Sequence, residues 1–496
     1  MTDHPLPQFA RDLWATLDGA WEVQLEPEDA WREIEVPFTF EAALSGIGTP
    51  GDVHEHIRYR RSFRVPDRWK ERTLLRFGGV DWRARVSLDG RLLGEHEGAY
   101  AHFSFDAGRL DPGGEHELVV EVFDPADDAF GQPKGKQRGS GGIWYTRTTG
   151  IWRSVWIEAV PDEYIREPRV RWSRGRELWS PERPVLLDGE LRAGDDVVRT
   201  YVGVRTIGRR GRDLLLNGEA LRIAGVLDQG FWPDGVYTPP SDDALRADVE
   251  AVKAMGFNLV RKHMKVEDPR WYTWCDRLGL LVAQDMPSSH DLSTEISRER
   301  FLREWLEIVH QLRRHPCIVM WIPFNEHWGE PPPDFQREVV RATRAADPSR
   351  LVVDASGWNQ LEDTDLVDVH DYGAQLTKHR DMRDDLPLWF GECGGISLAV
   401  EGHSRPADFS YRDVAGGDEL AEGYHRVVEQ IPDDVAGFVW TQLADVEGEL
   451  NGLLTYDRVP KTNLARIREV NDEFRQTRGR CRSTIAEAST PRGSVP

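Results

Sequence analysis

The sequence predicts a multidomain fold, with an N-terminal β-sandwich and a C-terminal (β/α)8 barrel. Three observations predict it. Residues 13–160 hold short strand-like runs with no long helical stretch. From about residue 216 short apolar strands alternate with helical patterns, and that alternation means parallel pairing through helical crossovers. The 496 residues leave space for a barrel of roughly 250 residues beside further domains.

In the first part, RYRRSFRV, LLRFGGV, WRARVSL, HELVVEVFD and RSVWIEAV are rich in β-branched and aromatic residues. Turn signals separate them: LDG at 17–19 and 88–90, and DPGG at 111–114. Many short strands argue for a sandwich over residues 1–160. Residues 161–215 offer about three strands, too few for a core of their own, so they are expected to extend a neighbouring domain. The barrel is expected over 216–480, with strands at 222–226, 258–263, 280–286, 317–326, 350–355, 365–372, 387–393 and 434–443. The connection 356–365 is short for a helix and makes the weakest unit. The tail 481–496 lacks apolar periodicity and reads as disordered.

Composition narrows the function. At 39% hydrophobic and 30% charged the chain can bury a real core. A net charge of −22 repels nucleic-acid phosphates and anionic lipid, so neither is an expected partner. Cys275, Cys317, Cys393 and Cys481 are scattered, unlike a disulfide framework or zinc site, and no metal-ligand motif occurs. The N-terminus lacks a basic segment followed by an apolar one, and no apolar run approaches a membrane span, so a cytoplasmic location is expected. Homo-oligomerisation stays open. The 19 tryptophans suit core packing first and stacking on sugar faces second.

Catalytic groups of such barrels sit at the C-terminal strand ends. Those ends carry Asp228, Arg261, His263, Asp285, Asn325, Glu326, His370, Tyr372, Glu392, Trp440 and Gln442. Two glutamates directly follow apolar runs, in IVMWIPFNE and PLWFGE, where a carboxylate is costly unless something holds it. They end the fourth and seventh strands, nearly opposite across the mouth. Glycoside cleavage with retention needs two facing carboxyls, one to protonate the leaving oxygen and one to attack the anomeric carbon. The competing reading is that each glutamate caps a helix or pairs with a nearby arginine.

Longer stretches carry a resemblance. WIPFNEHWG, LWFGECGG, VPFTFEAALSGIG, YRRSF, FGGVDWRARVSLDG, GIWYTRTTGIWRSVWIE and LLLNGEALRIAGVLDQGFWPDG occur in an order that resembles glycoside hydrolase family 2, over most of residues 13–475. The resemblance implies a jelly-roll-like sugar-binding sandwich, a shortened immunoglobulin-like segment over 161–215, and a catalytic barrel. It implies a retaining exo-β-glycosidase, with Glu326 as acid/base and Glu392 as nucleophile. Asn325 would bond the sugar 2-OH, Tyr372 orient Glu392, and Arg261 keep it anionic. His263 and Asp285 would line the pocket, Asp228 bind sugar hydroxyls, and Trp440 lie under the sugar. His327 and Trp328 would shape the leaving-group side. The implied substrate is a β-galactoside, with β-mannoside or arabinoside activity next. No cofactor is required, although some members use Mg²⁺. A glycan-binding protein on a degenerate scaffold is the alternative, which retention of both glutamates disfavours.

The chain also departs from that family. β-Glucuronidases carry an N-x-K motif whose lysine pairs with the uronate; in ELNGLLTYDR, Glu449 and Asn451 stand there, which disfavours a glucuronide. GQPKGKQ at 131–137 lacks the spacing and hydroxyl of a phosphate loop and reads as a basic sandwich loop able to reach the barrel mouth.

Overall fold

The computed structural model describes residues 4–166, 177–373 and 385–488, the last of these from 477 onward by backbone alone. Two antiparallel sheets build the N-terminal sandwich. One orders the strands Trp14–Thr16, Val155–Val160, Arg72–Phe77 and Phe103–Arg109; the other has six strands, with His56–Arg64 and Glu115–Phe123 at its centre. The period-2 pattern explains the layers. Ile57, Tyr59 and Phe63 on one strand, and Leu118, Val120 and Val122 on its partner, all enter one core with Trp21, Trp69 and Phe77.

The middle segment has no core of its own among the described residues. It gives a hairpin, Leu187–Ala193 with Asp196–Val202, and a small sheet that runs over Ile207–Leu221, past the expected boundary at 215. The hairpin extends its neighbours. Ala10 and Arg199 exchange backbone hydrogen bonds, Val198 packs with Leu6, Phe9 and Trp156, and the Tyr201 hydroxyl donates to Asp276 of the barrel at 2.7 Å.

The barrel has eight parallel strands: Ile223–Asp228, Leu259–Lys262, Leu281–Asp285, Ile318–Ile322, Leu351–Val352, Val367–Asp371, Leu388–Gly394 and Gly437–Thr441. In space they follow the order 5-4-3-2-1-8-7-6, the cyclic order of a barrel. The fifth strand is two residues long and forms no ladder with the sixth, so the unit expected to be weakest is where the pairing opens. Helices cover the outside. Asp242–Ala254, for example, is capped by the Ser241 side chain, which accepts from the Ala244 amide and has Asp242 and Asp243 in its first turn. The last helix, Leu464–Ala488, runs past residue 480 into the segment expected as the tail; residues 489–496 lie outside the described residues. Among the described residues no helix is long and apolar enough to cross a membrane.

Candidate active site

Arg261, near the end of the second barrel strand, is fully buried and organises the mouth. Its Nε and Nη2 donate to Asp285 at 3.1 and 2.9 Å, and Nη2 also donates to Asn325 Oδ1 at 2.7 Å. Nη1 donates to Glu392 Oε1 at 3.2 Å and to the Gly391 carbonyl at 3.1 Å. The planar fork of a guanidinium matches this demand, and the second, third, fourth and seventh strand ends are tied by one side chain. His263 joins the group through Asp285, with Nδ1 2.8 Å from Oδ2.

Glu392, two residues before the end of its strand, has a carboxylate held on both oxygens, by Arg261 on Oε1 and by the Tyr372 hydroxyl on Oε2. Burial pushes its pKa up, but His370, Arg261 and His263 outweigh that and, with Tyr372, bring it to about 2. It is therefore an ionised, oriented carboxylate.

Glu326 sits on a tight turn. The Glu326 amide donates to the Ser356 carbonyl at 2.9 Å and the Trp328 amide to the Asn325 carbonyl at 2.9 Å. Glu326 and His327 take φ of +48° and +59°, a left-handed conformation that costs a non-glycine residue about 1–2 kcal/mol and clusters at functional sites. The turn aims Glu326 at His370, whose Nδ1 lies 2.6 Å from Glu326 Oε1 and 3.6 Å from Glu392 Oε2. His370 Nε2 faces Ser356 Oγ at 2.7 Å and Arg261 Nη1 at 3.3 Å. One oxygen of each glutamate and a ring nitrogen of His370 lie within 4.8 Å of one another.

The structure thus brings together Glu326, Glu392, Asn325, Arg261, His263, Asp285 and Tyr372. It leaves two expected residues elsewhere. Asp228 points with its register neighbour Lys262 to the outside of the sheet; the Lys262 ammonium bonds it and lies 4.0 Å from the Trp271 ring centroid. Trp440 is fully buried and packs on Tyr424 of the helix Gly417–Glu429, with 4.5 Å between ring centroids. Both expectations came from the resemblance, and an apolar run at a strand end does not itself say which alternate residue faces inward.

Rings that do line the mouth come from loops. A cleft of about 540 Å³ beside Glu326 is lined by Trp144, His290, His327, Trp328 and Trp358. Trp144 and Trp328 lie 4.8 Å apart and Trp358 is 51% exposed. Tyr411 stacks on Tyr372 at 3.8 Å. Of the cleft residues, His327 and Trp328 had a sequence signal, one and two residues after Glu326; His370 had its strand-end position alone. Glu449 does not project bare into the mouth, because its oxygens accept from the Tyr145 hydroxyl and from Asn451 Nδ2 at 2.9 Å.

Two clusters offer three metal-ligand types each, Glu326–His370–Glu392 and Asp276–His315–Cys317. Neither fits Mg²⁺, which wants an octahedron of oxygens. In the first, Arg261 and Tyr372 already occupy Glu392. In the second, His315 Nδ1 is 2.6 Å from Asp276 Oδ2, a direct hydrogen bond without room for an ion between them.

Two family models match, the TIM barrel domain of glycosyl hydrolases family 2 over residues 210–374 and the galactose-binding domain-like region of glycosyl hydrolase 2 over residues 52–152. The chain belongs to glycoside hydrolase family 2. It is 24% identical over 382 residues to a β-galactosidase of Thermoanaerobacter pseudethanolicus, covering 63% of this chain and 50% of that protein. With a β-glucuronidase of Canis lupus familiaris it is 23% identical over 599 aligned positions, covering 91% and 90%. The chain spans about half the length of the first relative and 45% of a putative β-glucuronidase of Formosa agariphila. A Faecalibacterium prausnitzii β-glucuronidase has the same fold at a TM-score of 0.79 and 21% identity, covering 94% of this chain and 98% of that one. A family 2 β-galacturonidase from Eisenbergiella tayi, bound to galacturonate, gives 0.77 and 19%, with 94% and 98% covered.

Proposed function

We propose that this family 2 chain hydrolyses terminal β-linked sugars with net retention. The observation that carries the reading is the approach of Glu326 and Glu392, whose oxygens come within 4.8 Å. Retaining enzymes hold their carboxyls about 5–5.5 Å apart, whereas inverting enzymes need about 6.5–9.5 Å to admit a water.

The geometry supports one assignment of roles. Glu392, ionised and fixed by Arg261 and Tyr372, attacks the anomeric carbon. Glu326 gives its proton to the leaving oxygen, then takes one from the water that opens the glycosyl-enzyme. Asn325, fixed by Arg261, presents its amide nitrogen to the sugar 2-OH. His263 and Asp285, joined to the same cluster, line the pocket for the remaining hydroxyls.

For the sugar, a galacto-configured ring is the first reading, supported by relatives named β-galactosidase. The test is a panel of aryl β-glycosides with Glu392→Ala and Glu326→Ala. Azide should rescue the first variant with an α-glycosyl azide and the second with a β-glycosyl azide; wild-type rates in both variants would refute the assignment.

A further inference from the structure

The loop 131–137 is built into the barrel mouth. The Lys134 and Gly135 amides both donate to the Ser288 carbonyl at 3.0 Å, and Ser289 Oγ donates to the Gly131 carbonyl at 3.0 Å. A Cβ on Gly135 would stand 2.4 Å from the Met264 carbonyl, next to His263, so only glycine allows this approach. The loop carries two buried lysines with opposite fates. Lys134 is neutralised, with Nζ 2.7 Å from Asp81 and 3.0 Å from Asp124. Lys136 is 7% exposed, and no carboxylate of the described residues lies within ion-pair distance of it.

The Lys136 ammonium instead sits 5.3 Å from the Trp328 ring and 5.7 Å from the Tyr145 ring. The Tyr145 amide donates to the Lys136 carbonyl at 3.0 Å, which fixes that side. Trp328 lines the cleft with Glu326, so the ammonium is near the sugar-binding rim, and its charge adds to the burial and the Arg261 charge that push the pKa of His263 well below its usual value. A nearly buried cation is costly without an anion, and two ring faces replace only part of its hydration. The ammonium offers three donors and no acceptor. Glu449, on the hydroxyl side of Tyr145, is held by the Tyr145 hydroxyl and Asn451 and forms no ion pair with Lys136.

We propose that Lys136, delivered by the sandwich rather than by the barrel, is a specificity-determining residue that holds an anionic substituent of the sugar. This rests on the glycosidase reading above and sharpens its sugar to an acidic ring. A ring carboxylate and a sulfate ester present the same chemistry, three-donor recognition of an oxyanion.

The test compares kcat/KM for 4-nitrophenyl β-galactoside, β-galacturonide, β-glucuronide and 6-sulfo-β-galactoside in the wild type, Lys136→Met and Lys136→Arg. The wild type should prefer at least one acidic substrate, and Lys136→Met should lower the acidic-to-neutral ratio on the order of 10- to 100-fold, the effect of one charge-assisted hydrogen bond. Lys136→Arg should restore part of the ratio, and the winning acidic substrate names the anion. Because each variant is scored by a ratio, loss of folded enzyme does not imitate the result. Hydrolysis of neutral glycosides alone, or an equal fall on both classes in Lys136→Met, overturns the proposal while the glycosidase reading stands. Hydrolysis of none of the four, nor of any other aryl β-glycoside, removes both.

Discussion

His370 Nδ1 lies 2.6 Å from Glu326 Oε1. The imidazole is buried, which alone would keep it neutral, yet Glu392 and the hydrogen bond to Glu326 raise its pKa above the usual value. It therefore stays charged to higher pH than a solvated histidine, and loses that charge as pH rises through the raised pKa. The expected result is that His370→Gln lowers kcat about 10- to 100-fold, below the 10²- to 10⁴-fold typical of a group that transfers the proton itself. KM should change less, and the alkaline limb of the kcat profile should shift. An unchanged kcat and limb would show that Glu326 is aimed by its turn alone.

Arg261 is the cation on which two buried carboxylates depend. Removing one partner of such a group leaves uncompensated charge and costs about 3–5 kcal/mol. Arg261→Met should therefore lower the thermal midpoint of the barrel as well as activity. A variant as stable as the wild type would mean that Asp285 and Glu392 find protons or water in its absence.

These two residues also show what the sequence could and could not reveal. The alternation of strands with helices specified all eight barrel strands, because a parallel sheet covered by helices leaves a long, redundant apolar pattern. It even marked the fifth unit as the weak one, where only Leu351–Val352 pair. The glutamates were legible because a carboxylate after an apolar run is expensive. Facing was not legible. Asp228 and Arg261 both end strands, but Asp228 shares the outer face with Lys262, one residue out of phase with Arg261. The loop residues Lys136, Trp144 and Trp358 reach the mouth through backbone anchoring such as the bonds to Ser288, which no periodicity encodes.

The low pKa of Glu392 has a pH signature. Its folded value, about 2, lies below the unfolded one near 4.3, so the group contributes stability above about pH 4.3 that is lost as pH falls towards 2. Acid unfolding followed by fluorescence should show the wild type losing stability across that window more steeply than Glu392→Gln. Equal slopes would place the ionisation elsewhere. Within pH 5–8 Glu392 stays charged, so any limb of the activity profile there belongs to another group, with His370 the first candidate.

Trp440 and Trp358 separate packing from recognition. Trp440 is enclosed by the sheet and by Tyr424, while Trp358 is half exposed in the cleft with its ring 5.6 Å from His370. Trp440→Ala should cost about 3–5 kcal/mol of stability, as large-to-small changes in a core do. The fraction that remains folded should keep its KM. Trp358→Ala should move stability by no more than about 0.5 kcal/mol, as surface changes do. It should raise KM for bulky aryl aglycones several-fold, with a smaller change for a methyl glycoside, because the ring lines the cleft beside Glu326, the proposed acid/base, where it stacks on the leaving group. Thermal unfolding and KM on a paired aryl and methyl glycoside read both variants. A stable Trp440→Ala with raised KM would return the sugar platform to Trp440.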